Sequence, residues 1–313
     1  MWKTFRKNCK LKGKKYALRK AIQNICGLQE YQEQIDTMFY FLNKYVDITK
    51  LPPAEGNLRL MQQADAELLH VFHKVCEKHN LTYWLDWGTL LGAVRHRGFI
   101  PWDDDLDVTM PREDYERAVP ILKEEFLKIG IDAIEGENEC MARIGIGYKT
   151  GKTGVWLDVF PIDYTHIKKF DDEAELKLFE RMTEYRKFYL KNRQNISRNQ
   201  ILDRKHQTID IAGEKSGVKI WYHNPEFEVD MCTYEQEDIF PLQKITFEGN
   251  EYYAPAKTDK YLRKYYGNYM EFPHNGVEHH ESNEMKLSEL AEKYGIDMRN
   301  VIIELQGKSE RYK

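Results

Sequence analysis

Cysteine is scarce. The five cysteines, Cys9, Cys26, Cys76, Cys140 and Cys232, form no CxxC pair and are odd in number. That argues against a disulfide framework and a cysteine zinc site. No apolar run approaches the ~20 residues that cross a bilayer. The basic start lacks the apolar stretch of a secretory signal, so a cytoplasmic location is expected. No segment repeats internally. Core-forming residues are not lacking: of 313 residues 42% are hydrophobic and 31% charged, which separates the chain from disordered sequences. This length suits one large domain, or a compact domain with additions.

Acidic residues are absent from the first 20 positions, which carry Lys3, Arg6, Lys7, Lys10, Lys12, Lys14, Lys15, Arg19 and Lys20. The net charge is −4, so these nine cations leave the other 293 residues at −13. An acidic body argues against nucleic-acid binding. The basic tail, with Trp2 and Phe5, suits an anionic membrane surface. It equally suits a solvated terminus.

Periodicity predicts helices over 16–45, 58–78, 112–127, 171–193 and 257–266. The second has an apolar stripe of Met61, Leu68, Phe72, Val75 and Cys76, with Asn80 as its stop. Strands are expected over 81–85, 105–110, 141–149 and 154–160, with a hairpin around Thr150-Gly151-Lys152. Two more should flank Glu248-Gly249-Asn250. Residues 194–220 show no assignable pattern. Interleaved strands and helices with antiparallel hairpins give an α/β (α+β) class.

The informative segment runs from Gly88-Thr89 to Asp103-Asp104-Asp105-Leu106-Asp107-Val108. On a strand, residues two apart share a face, so Asp105 and Asp107 should project together. Adjacent carboxylates repel each other, and a divalent cation relieves that repulsion. Oxygen ligands at this density suit Mg²⁺ or Mn²⁺. A third ligand is expected from Val155-Trp156-Leu157-Asp158-Val159-Phe160, where Asp158 is a lone charge inside an apolar strand. If the two strands pair, Asp105, Asp107 and Asp158 converge. An isolated acidic run is more often a solvated turn. Here the second acidic strand and the upstream Gly-Thr turn weigh against that.

Gly88 and Thr89 open a turn into a helix, where free N–H groups face phosphate and glycine permits close approach. An ordinary tight turn would look the same. Arg95, His96 and Arg97 follow. Arg95 is the preferred phosphate ligand. His96 is read equally as a structural hydrogen-bonding residue or as part of the binding site, and Arg97 as a surface charge.

The string Tyr83-Trp84-Leu85 through Gly88–Val108 resembles the LicD/fukutin family of nucleotidyltransferase-fold enzymes. Asp158-Val159-Phe160-Pro161 is similar to that family's second acidic motif. Tyr253–Pro255, Tyr261-Leu262 and Tyr265-Tyr266-Gly267-Asn268-Tyr269-Met270 through Pro273 resemble its C-terminal signature. The likeness covers about residues 58–165 and 240–273. It lacks the cysteine cluster associated with the fukutin-related ribitol-phosphate transferases, which favours the bacterial branch.

The resemblance implies a nucleotidyltransferase-like mixed sheet flanked by helices, with helical additions. It divides the chain into a basic N-terminal helical extension (1–57), a catalytic core (58–165), a helical insertion (166–238) and a C-terminal part (239–313). It also implies metal binding by Asp105, Asp107 and Asp158, and CDP-choline or another CDP-alcohol as donor. The acceptor implied is a cell-surface glycan, a lipid-linked glycan or a teichoic acid precursor, reached at the inner membrane face. Phosphoryl transfer fits these residues, since it needs positioning and charge neutralisation more than covalent help. Asp103 and Asp104 are expected to orient the loop or a water. Choline would need aromatic faces, and Trp84, Trp87, Trp102 and Trp156 lie near the acidic strands. Any one of them is more often a core residue, so they do not decide the alcohol. Two other enzyme readings share the acidic pair: transfer of NMP with pyrophosphate release, and metal-dependent glycosyl transfer. A non-catalytic adaptor is a third possibility, against which the intact carboxylates weigh.

Overall fold

The computed structural model describes residues 28–135, 143–165, 167, 171–209, 219–227, 229, 232–273, 289 and 292–312. The basic segment 1–20 lies outside them. Two compact units are distinguished. In the first, residues 28–51 carry helix α1 (Leu28–Tyr45), the C-terminal part of the helix predicted over 16–45. Asn43 accepts a hydrogen bond from the Phe272 N–H at 2.6 Å within the same unit.

The second unit holds the sheet. Helix α2 (Gly56–His79) buries Met61, Leu68, Phe72, Val75 and Cys76, as its stripe predicts. It closes at Asn80, left-handed at φ 50°, whose N–H returns to the Cys76 carbonyl. Then come β1 (Trp84–Leu85), α3 (Trp87–His96), β2 (Asp107–Pro111), α4 (Arg112–Leu127), β3 (Asp132–Glu135), β4 (Ile144–Gly147) and β5 (Trp156–Thr165). Helices α5 (Asp172–Asn192) and α6 (Arg198–Thr208) precede β6 (Ile220–His223) and β7 (Thr233–Glu235). The short helix α7 (Gln236–Ile239), the hairpin of β8 (Gln243–Phe247) and β9 (Asn250–Ala254), α8 (Thr258–Tyr266) and α9 (Met298–Ser309) complete it.

The seven-stranded sheet runs β1-β2-β5-β4-β3, with β6 continuing from β5 and β7 from β6. Strands β2 and β5 are parallel, while every other pair is antiparallel. The sheet is therefore mixed and flanked by helices. Leu106, Val108, Leu157 and Val159 are buried on it together with Leu68 and Phe72 of α2 and Tyr115 and Leu122 of α4.

Three elements differ from the sequence reading. The strand expected over 81–85 is only Trp84–Leu85. The strand expected at Asp105 starts at Asp107, because the ladder to β5 begins there. Residues 103–105 instead lead in: Asp103 N–H donates to the Ile100 carbonyl, and the Gln62 amide holds the Asp103 carbonyl at 2.8 Å. The unassigned 194–220 contains α6, opened by a capping box between Ser197 and Gln200.

Helices α5 and α6 form a small core of Leu178, Met182, Tyr185, Tyr189, Ile201 and Tyr222. Four buried charges join it to the sheet. Arg112 grips Asp163 with two hydrogen bonds of 2.9 Å, while Lys205 binds Asp163 and, at 3.0 Å, Glu226. Tyr185 donates to Glu226 at 2.6 Å. The two cations balance the two carboxylates, and losing one partner would strand a buried charge. Lys205→Met should therefore cost ~3–5 kcal/mol in urea unfolding. Arg112 and Lys205 hold the Asp163 carboxyl far below its ordinary value of 3.8, despite its burial. Its contribution is thus complete above about pH 4 and is lost as pH falls further. Acid titration of Lys205→Met should show a shallower loss than the parent; equal slopes would refute this account.

Candidate active site

The acidic residues gather where β1, β2 and β5 meet. Asp107 opens β2 and lies directly beside Asp158 on parallel β5. Its carbonyl accepts the Asp86 N–H at 3.1 Å, and the Asp158 N–H donates to the Leu106 carbonyl at 2.8 Å. Backbone pairing, not side-chain attraction, therefore forces Asp107 and Asp158 together. Asp103, Asp104 and Asp105 present carboxylate oxygens within 4.8 Å of one another in the lead-in loop. Asp105 reaches the group from this loop and not from the strand.

Helix α3 supports the loop. Asp86 caps it, its Oδ1 accepting the Trp87 N–H at 2.9 Å. Asp86 Oδ2 accepts from Thr109 at 2.6 Å and from Tyr261 at 2.9 Å. Thr89 Oγ1 accepts the Asp107 N–H at 2.8 Å, so this hydroxyl positions the acidic strand. A Cβ at residue 88 would sit 2.6 Å from Asp103 Oδ2, which is why the first turn carries glycine. Gly88 and Thr89 thus do come to the site, holding its carboxylates.

Burial raises the Asp107 carboxyl well above the ordinary range, and Asp105, Asp158, Asp103 and Asp86 add to it in that order. Asp103 is raised in the same way, by burial and then by Asp105 and Asp104. Such a set of mutually repelling oxygens fits a hard divalent cation. A second acidic trio, Glu235, Glu237 and Asp238, does not: Lys257 binds Glu237 and Asp238 at 2.7 and 3.0 Å, and Lys260 binds Asp238 at 2.7 Å.

Asp158 is buried, with both oxygens engaged. Trp156 Nε1 donates to Oδ1 and Arg143 Nη1 to Oδ2, each at 2.7 Å. The indole occupies the space over Gly145, where a Cβ would come within 1.8 Å of it. Gly145 is also the ladder partner of Asp158. Of the basic residues singled out from sequence, Arg95 and His96 lie on the last turn of α3. Arg95 is buried and donates to the Tyr269 carbonyl; burial lowers its pKa to about 10. Burial, then Arg95, lowers His96, whose Nε2 has no hydrogen-bond partner among the described residues.

Several residues of this centre escaped the sequence reading. Asp65 is fully buried on α2, accepts the Trp156 N–H at 2.9 Å, and is raised by burial and then by Asp105 and Asp104. Its signal was there: it falls four residues after Met61 and three before Leu68, at a core position of the stripe. Arg143 had no such signal, and Tyr266 stood in the C-terminal signature without an assigned role; burial raises the Tyr266 hydroxyl, with Asp107 the largest charge acting on it. Trp87 lies at φ 46°, a costly conformation for a bulky residue. Its ring stacks on His223 at 4.6 Å and meets Tyr265 edge-on at 4.6 Å. Trp84 is fully buried in the core, while Trp102 is partly buried against it.

The sequence pattern of the LicD/FKTN/FKRP nucleotidyltransferase domain matches residues 80–133, from the cap of α2 into β3. Over this segment the chain is similar to that LicD-family domain. Among similar proteins is the lipopolysaccharide cholinephosphotransferase LicD of Haemophilus influenzae. It is 28% identical over 249 residues, covering 69% of this chain and 92% of that protein. The ribitol 5-phosphate transferase FKRP of Homo sapiens is 50% identical over 40 residues, 13% of this chain and 8% of that protein. An uncharacterized protein of Rickettsia prowazekii, RP689, is 40% identical over 84 residues, 21% of this chain and 32% of its own length.

The electrostatics of the LicD-type domain give a sign for stability. A carboxyl whose pKa rises on folding prefers its protonated form in the fold, so its charge opposes folding at neutral pH. In chelator at pH 7.5, Asp107→Asn should therefore raise the thermal unfolding midpoint. A lower midpoint would mean that Asp107 is held by favourable contacts instead.

Proposed function

We propose that the chain is a LicD-type enzyme that transfers a phosphoalcohol, phosphocholine first, from a CDP-alcohol to a hydroxyl of a cell-surface glycan or teichoic acid precursor. The single observation that carries this is the juxtaposition of Asp107 and Asp158 on parallel strands beside the Asp103–Asp105 carboxylates. Asp105 and Asp107, with Asp158 and Asp103 beside them, would hold Mg²⁺ or Mn²⁺. Such a cation, when bound, neutralises diphosphate charge. The acceptor oxygen forms a bond to the alcohol-bearing phosphorus as the bond to the CMP phosphate oxygen breaks. CMP leaves, and the acceptor proton passes to a site carboxylate. Trp87 and Tyr265, partly exposed and in contact at 4.6 Å, would each give a quaternary ammonium ~0.5–2 kcal/mol. The name of the Haemophilus relative points to the same alcohol.

The test is product analysis with Mg²⁺ and CDP-choline, CDP-ribitol, CDP-glycerol, CTP and UDP-sugars. CMP should be released fastest from CDP-choline. Pyrophosphate from CTP would make the chain an NMP transferase, and UDP release a glycosyltransferase. Asp105→Asn and Asp107→Asn should each lose most turnover, on the order of 10²-fold or more, as expected when a charge-stabilising group is removed. Full turnover in Asp158→Asn would exclude that residue from the centre.

A glycan under assembly on a lipid would be met at a membrane surface. Among the described residues no helix is long and apolar enough to cross a membrane. The nine cations of residues 1–20 would attach the chain electrostatically, each contributing ~1 kcal/mol near an anionic leaflet. The full chain should co-sediment with anionic but not neutral vesicles and be released by salt. A chain starting near Ala21 should remain in the supernatant. Equal behaviour of the two would leave the segment a solvated tail.

A further inference from the structure

Arg143 stands immediately before β4, whose Gly145 pairs with Asp158 on β5. Its guanidinium lies on the Phe227 ring, 5.6 Å from the ring centre, and gives one donor to Asp158 at 2.7 Å. Among the described residues it makes no other hydrogen bond. The side chain is 35% exposed. A guanidinium carries five N–H donors in a planar fork that matches phosphate oxygens. Here one side of that fork is anchored, while the other donors have no partner among the described residues.

The anchor is itself braced. Arg186 Nη1 binds the carbonyls of Pro225 and Glu226, at 2.9 and 3.0 Å, and that of Phe227. The Phe227 ring packs on Phe160 at 4.7 Å, two residues beyond Asp158 on β5. Glu226 belongs to the buried four-charge network. A surface ion pair would not need its stacking partner fixed by three carbonyl contacts and a buried carboxylate.

We infer that Arg143 receives the diphosphate of the nucleotide donor, positioned by Asp158 and by the Phe227 ring. The inference rests on the CDP-alcohol reading above. It assigns to Arg143 the phosphate contact that sequence gave to Arg95, whose guanidinium is buried on the Tyr269 carbonyl. The fork then bridges protein carboxylate and ligand phosphate, bringing positive charge to the diphosphate beside an acidic centre that would otherwise repel it.

Calorimetry of the full chain with Mg²⁺ tests this without turnover, using CDP and cytidine as ligands. Arg143→Ala should weaken CDP at least about tenfold, equivalent to ~1.4 kcal/mol, and leave cytidine unchanged. Arg143→Lys, which keeps the charge opposite Asp158, should recover part of the CDP affinity. Phe227→Ala should weaken CDP by about threefold, the scale of one exposed cation–π contact. CDP affinity within about twofold of the parent in both Arg143 variants would overturn the inference, as would an equal loss for cytidine, which has no phosphate. Failure of the parent chain to bind CDP would instead overturn the CDP-alcohol reading and the inference with it. Thermal melts of each variant exclude unfolding as the cause, and Arg143→Lys decides the matter if Arg143→Ala does not fold.

Discussion

Repulsion among carboxylates is the constraint around which the second unit is arranged. Asp107 cannot leave Asp158, because the parallel ladder of β2 and β5 fixes their backbones side by side. Asp103–Asp105 cannot swing away freely, because Gln62 holds the Asp103 carbonyl. Gly88 leaves room for the Asp103 carboxylate, and Thr89 fixes the Asp107 backbone. Burial then raises the cost of every negative charge. The fold spends stability to keep a cluster of like charges, as binding and catalytic sites do.

Strand β5 shows both ways of keeping a buried acid. Asp158 near its start sits in the crowded carboxylate set with Arg143 on one oxygen. Asp163 near its end is surrounded by Arg112 and Lys205, which drive its carboxyl down. The two surroundings differ in their cations, one beside Asp158 and two beside Asp163, and not in burial, since both are buried. One end of the strand is a closed, balanced network that fastens α5 and α6. The other end is left with excess negative charge, which is where a positively charged ligand gains most.

Much of this was legible in the residues. The apolar stripe of α2, its stop at Asn80, the extent of α4 and the hairpin preceding Asp158 follow from local patterns that packing then rewards. Asp105 and Asp107 stood out by their two-residue spacing and Asp158 as a lone charge in an apolar strand; the structure sets Asp107 beside Asp158, with Asp105 next to Asp107 from the loop. The surroundings of the two arginines were less legible. Arg95 follows the Gly88-Thr89 turn by about two helical turns, yet the last turn of α3 faces the C-terminal segment, where Arg95 donates to the Tyr269 carbonyl. Arg143 is 15 residues from Asp158 and meets it only through strand pairing, which no local pattern reports. Helix α6 was legible in principle, since Ser197 and Gln200 spell a capping box, but its moment is weak and its polar surface hid it.

The same non-local logic explains why a short family pattern belongs to a longer enzyme. The matched residues 80–133 supply Asp86, Thr89 and the Asp103–Asp107 run, but they do not close the site. Tyr261 hydrogen-bonds Asp86, Tyr265 packs on Trp87, Tyr266 lies beside Asp107, and the Tyr269 carbonyl holds Arg95. One helix, α8, and the turn after it therefore meet α3, its cap and the acidic strand at four points. Three of those contacts run through rings or hydroxyls, so each tyrosine fills space that the carboxylates would otherwise share with water. Excluding water strengthens every charge interaction left inside. Burial stands ahead of the acidic neighbours among the causes that raise the Asp107 and Asp103 carboxyls.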